Sequence, residues 1–189
     1  MRSRADKAAY CASFIALGLI LSYVEALIPI NLVIPFPGFK LGLANLAVMT
    51  SFFILGYSYA VAVCLCRISL SALLFGSVTS FWFSLSGGIL TLAVLLLYKL
   101  VLHTANGLLG ISTLCAAAHN IGQCLACSLL FGHYVLIFYL PYLLIFSIIT
   151  GSITGFLASK ILTIKLLYPR KRQNEKRRKT SRKRNSKAI

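Results

Sequence analysis

The sequence predicts an all-α integral membrane protein of six transmembrane helices with both termini cytoplasmic, and three observations carry that prediction. Hydrophobic residues make up 59% of the 189 residues and mean hydropathy is +0.87, more apolar surface than one soluble core can bury. Turn residues with few charges separate apolar runs, most of them near the ~20 helical residues that cross ~30 Å of hydrocarbon. Lys and Arg cluster on one set of connections, as they do on the cytoplasmic side of a membrane protein.

The first span runs from about Ala8 to Ile28. Arg2, Arg4 and Lys7 before it resemble a signal-peptide n-region, yet the apolar run exceeds the ~7 to 15 residues of an h-region and ends at Glu25 and Pro29 without a small-x-small cleavage site. It therefore reads as a retained span. The link from Pro29 to Gly38, with Pro35 and Pro37, cannot continue a helix. A short second span covers about Leu41 to Gly56, and a tight Gly56-Tyr57-Ser58-Tyr59 corner leads into the third, about Ser58 to Ser77. The fourth runs from about Thr79 to His103, the fifth from about Leu108 to Phe131, and the sixth from about Tyr134 to Ser159, interrupted by Pro141. Arg2, Arg4, Lys7, Lys99 and the basic C-terminal stretch fall on the cytoplasmic side of this arrangement, and Lys40 is the exception.

Residues 1–160 thus form the transmembrane domain and 161–189 a basic tail. The net charge is +16, but 11 of the 19 Lys and Arg lie between Arg170 and Lys187, so basicity is a property of the tail. That tail cannot bury enough apolar surface to fold alone, and it fits anionic lipid head groups at about 1 kcal/mol per basic residue. No aromatic residue interleaves the run from Arg170 to Lys187, which argues against nucleic acid. The six cysteines, Cys11, Cys64, Cys66, Cys115, Cys124 and Cys127, all fall in apolar segments and read as packing residues. Small residues at four-residue spacing mark helix seams: Ser147, Gly151, Gly155 and Ser159 in span six, Ser80, Ser84 and Gly88 in span four, and Ala8, Ala12 and Ala16 in span one. The alanine ladder faces either a neighbouring span or a second protein.

Polar residues inside the spans are the candidate site. Arg67 keeps its charge at any accessible pH, and an unpaired charge at mid-membrane costs from ~3 to over 10 kcal/mol, so it faces a partner, a cavity or a ligand. Glu25, Asn45, His119, Asn120 and Gln123 are the other polar groups, and their positions along the spans put them in the outer half or at the midplane. Such a set lines an outward-facing polar pocket. Three arrangements satisfy Arg67: a direct pair with Glu25, a water-bridged pair lining a cavity, or a ligand anion. Interhelical hydrogen bonding competes with cavity lining for His119, Asn120 and Gln123. At 100° per residue, His119 and Gln123 share a face with Cys115 while Asn120 shares one with Cys124 and Cys127. Cys115 and Cys124 point apart, so no metal site or other cofactor is expected.

Pro37-Gly38-Phe39-Lys40-Leu41-Gly42-Leu43-Ala44-Asn45, Arg67 with Leu73-Leu74-Phe75-Gly76-Ser77, Ser86-Gly87-Gly88, and Ala118-His119-Asn120-Ile121-Gly122-Gln123 together resemble the bacterial membrane family called Gx transporter, also labelled heptaprenyl diphosphate synthase component I. The resemblance runs from about Ala8 to Lys160. The family is similar in size and span count to the substrate-binding S components of energy-coupling factor vitamin transporters. It implies an S-component-like bundle at the cell membrane that binds a small molecule through Arg67, Asn45, His119, Asn120, Gln123 and Glu25. Pro29 to Lys40 would form a lid, and Ala8, Ala12 and Ala16 would dock on a transmembrane partner. The second family label implies instead a non-catalytic membrane partner of a polyprenyl diphosphate synthase in menaquinone side-chain biosynthesis. Prenyl-chain elongation needs aspartate clusters to hold Mg²⁺, and this chain has one aspartate, Asp6. It also lacks a nucleotide-binding Gly-rich Lys loop, so ATP-driven transport would need separate ATPase subunits.

Overall fold

The computed structural model describes residues 4–28, 40–102, 107–132 and 136–185, with side chains described for all but 102, 136–139 and 165–185. The described residues form six α-helices: α1 (Arg4–Leu27), α2 (Asn45–Leu55), α3 (Tyr57–Phe75), α4 (Val78–Leu97), α5 (Leu108–Phe131) and α6 (Leu136–Asn185). A π-helical turn, Tyr98–Leu102, prolongs α4. Local chemistry sets several ends. Ser77 caps α4 by accepting the Ser80 N–H at 3.1 Å. Gly132, at φ 66°, closes α5 with its N–H on the Ser128 carbonyl.

Five of the helices are long and apolar enough to cross a membrane. The exception corrects the expected second span from Leu41 to Gly56. Its helix starts only at Asn45 and holds 11 residues, about 16 Å of rise. The reason lies just before it: the Lys40 and Leu43 amides bond to side chains of Gln123 and Glu25 instead of starting a helical ladder. α2 touches each of the other five helices, and its residues from Asn45 to Phe52 are all buried. A helix that is apolar all round is a buried one, so α2 is the pillar around which the long helices stand.

Around that pillar the usual distribution is inverted. Leu73, Val78 and Leu129 are 82%, 76% and 86% exposed, whereas Arg67 and Gln123 are 2% and 0%. This is the pattern of a multi-pass membrane protein, whose outer surface meets lipid and whose polar groups turn inward. α5 packs against α4 and α6, and α1 against α2 and α3. The α6 seam fits its expected use: a Cβ on Gly151 would lie 2.5 Å from Thr113 Cα, and one on Gly155 3.0 Å from Ser112 Cβ. Ser112 and Thr154 add a hydroxyl pair at 2.7 Å across the same interface. In α4, a Cβ on Gly88 would lie 2.9 Å from Cys64 Sγ of α3.

Other expectations need adjustment. α6 runs through Pro141 and past Ser159, rather than being interrupted there. Ala8, Ala12 and Ala16 lie on the exposed face of α1, so the other described helices do not use that ladder. Cys66 is exposed and Cys11 partly so, while Cys64, Cys115, Cys124 and Cys127 are buried as packing residues. The link proposed as a lid lies outside the described residues, except for Lys40.

Candidate functional site

The site forms where α1 ends and α2 begins. Gly18, Ser22 and Glu25 share the buried face of α1, at the spacing that aligns residues along one side of a helix. A Cβ on Gly18 would sit 3.0 Å from Arg67 Cδ, so its absence lets the arginine stem lie against α1. Arg67 Nη2 donates to Asn45 Oδ1 at 2.9 Å, tying α3 to the first residue of the pillar. Glu25 Oε1 accepts the Leu43 N–H at 2.5 Å.

Gln123 holds the other side of the segment before α2. It accepts the Lys40 N–H at 2.9 Å and donates its own amide to the Lys40 carbonyl at 2.7 Å, a reciprocal pair. Gly42 has φ +87°, a left-handed conformation that favours glycine, and a Cβ there would lie 3.2 Å from His119 Cδ2. His119 is pressed against α4 in the same way, since a Cβ on Gly87 would meet its Nδ1 at 2.5 Å. Lys40 is itself buried, at 7% exposure. Its ammonium lies within electrostatic reach of both Glu25 and Arg67.

Of the six residues singled out from the sequence, five meet here: Glu25, Asn45, Arg67, His119 and Gln123. Asn120 does not, because its amide donates to the Leu143 carbonyl of α6 at 3.0 Å. That is an interhelical tie. Glu25 and Arg67 spend their hydrogen bonds on Leu43 and Asn45 rather than on each other, although their charges still interact. Sequence reasoning missed Lys40, Ser22 and the glycines. The signal for Lys40 was its place as the exception to the charge asymmetry.

What the cluster leaves undone is as informative as what it bonds. Asn45 Nδ2, Arg67 Nε, His119 Nδ1 and Ser22 Oγ are buried with no hydrogen-bond partner. Buried polar atoms of this kind cost about 1–3 kcal/mol each, so a group of them beside a guanidinium points to a molecule that completes the set.

The fold and this cluster together define a polytopic helical membrane protein with a polar site buried in its bundle. The chain belongs to the family described as heptaprenyl diphosphate synthase component I, which it matches over residues 14–161. The matched stretch holds every site residue and starts after Ala8 and Ala12. Neither a curated protein nor a solved structure matches the chain.

Proposed function

We propose that this chain is a non-catalytic membrane component that works with a polyprenyl diphosphate synthase. The observation that carries the reading is the family match over residues 14–161. Residue chemistry supports the non-catalytic part: the chain has three acids, Asp6, Glu25 and Glu175, and Glu25 holds the backbone before α2. Carboxylate clusters that would hold Mg²⁺ against a diphosphate cannot be built from that set. The synthase itself is a separate chain, and the membrane component gives it a lipid-embedded platform beside a product with a long apolar tail. The bundle then sits in the cell membrane, with the basic tail on anionic head groups. Affinity purification of the full chain in mild detergent, with the soluble prenyltransferase co-expressed, should yield one complex and a faster elongation rate than the prenyltransferase alone. Separate elution with no change in rate overturns this reading.

A second reading is favoured by one observation, the unpartnered polar atoms around Arg67. In it the chain is the substrate-binding part of an uptake system, with ATPase and transmembrane subunits as partners and the exposed Ala8, Ala12 and Ala16 as the docking ladder. Those subunits, in place of a prenyltransferase, would then co-purify.

A further inference from the structure

We propose that the cluster of Arg67, Asn45 and His119 binds a singly charged oxyanion, a carboxylate or a phosphodiester, whose oxygens accept from Arg67 Nε and Asn45 Nδ2. This rests on the reading of the cluster as a ligand site and names the chemistry of what fills it. The unpartnered atoms select the polarity. Arg67 Nε and Asn45 Nδ2 are donors without acceptors, and both residues are almost wholly buried. Three side-chain acceptors nearby are committed: Asn45 Oδ1 to Arg67, Glu25 Oε1 to Leu43, and Gln123 Oε1 to Lys40.

Charge selects the valence. Lys40 and Glu25 interact with each other and with Arg67. Taken as a pair that holds one proton between them, that lysine and glutamate sum to zero and leave the site the single positive charge of Arg67. A buried water would satisfy the donors but not the charge, which in a low-dielectric interior still lacks a counter-ion. One negative charge spread over two oxygens satisfies both. A diphosphate carries more charge than the cluster can balance.

Shape is consistent with a preformed wall. Gly18, Gly42 and Gly87 each bring backbone so close to Arg67, Asn45 or His119 that a methyl group would displace those side chains. Tight backbone packing on three sides fixes the donors in place before a ligand arrives, which lowers the ordering cost of binding.

Two sources share this chemistry, a free carboxylate solute and an anionic lipid head group. The test is thermal unfolding of the full chain at fixed ionic strength, in neutral detergent with acetate, pyrophosphate or chloride, and in nanodiscs of phosphatidylcholine with or without phosphatidylglycerol. Acetate or phosphatidylglycerol should raise Tm by about 3 °C or more near saturation, and R67Q and N45A should remain folded and lose the rise. A response to acetate alone assigns a free solute, and a response to phosphatidylglycerol alone assigns a lipid. The proposal is overturned if neither raises Tm, if both variants keep the wild-type rise, or if pyrophosphate acts more strongly than acetate. Co-purification reports on partners separately. A prenyltransferase complex with an Arg67-dependent acetate shift keeps the site and removes uptake, whereas uptake partners without that shift do the reverse.

Discussion

Gln123 shows how a single side chain can hold a segment that has no secondary structure of its own. Its amide bonds both the N–H and the carbonyl of Lys40, which fixes the five residues before α2 against α5. Q123L removes both bonds and leaves two buried backbone groups unpaired, at about 2–4 kcal/mol in sum. For a chain of this length the expected fall in Tm is about 5–15 °C, read by thermal unfolding in detergent. The polarity and depth of Arg67, Asn45, Glu25 and Gln123 were legible in the sequence because such residues are costly in lipid and must be accommodated. Their pairing was not legible. It depends on a non-helical segment at 40–44, which uniform apolarity does not encode, whereas the separate face of Asn120 was already given by its spacing from His119 and Gln123 and leads to Leu143.

The elements are held together by glycine contacts whose energetics can be tested one helix pair at a time. α4 crosses α5 where Gly87 meets His119 and where a Cβ on Gly122 would lie 2.6 Å from the Ser86 carbonyl oxygen and 2.7 Å from Gly87 Cα. Each obstructing atom at Gly122 is backbone, so G122A has to push the helices apart, at about 1–3 kcal/mol. G107A is the control, because a Cβ there meets nothing within 4 Å and the backbone already suits an L-residue. The expected ranking of Tm is wild type equal to G107A, both above G122A; equal values for the two variants would remove the crossing from the account. Helix boundaries were readable where glycine brackets a span, as at Gly107 and Gly132 for α5, whose ends match expectation. The late start and full burial of α2 were not readable, because a run covered by protein and a run covered by lipid have the same composition. Only the neighbours of Asn45–Leu55 distinguish them.

At the scale of the whole molecule the question is whether a short second helix still returns the chain across the bilayer. Asn45, at the start of α2, bonds Arg67, which lies ten residues into α3, so the two helices run antiparallel from the Gly56 corner. Phe52 and Phe53, near the far end of α2, meet Tyr98 edge to face in the turn that prolongs α4. α2 therefore spans from the level of the polar site to the end where α4 finishes, and the segment before it, bonded to Glu25 and Gln123, supplies the remaining depth. An even traverse count is then the expectation, although α2 holds only 11 residues. Charge agrees once Lys40 is set aside: it is buried beside Glu25 rather than free in a loop, so it does not count against the retention of Arg4, Lys7, Lys99 and the tail on one side. Both termini should thus be cytoplasmic and the α5–α6 turn at Gly132 external. Green fluorescent protein fused at either terminus should fluoresce, and alkaline phosphatase should be inactive at both termini but active when inserted at Gly132. An active phosphatase at one terminus would mean an odd number of crossings, and α2 with its lead-in would then be a re-entrant element that leaves the membrane on the side it entered.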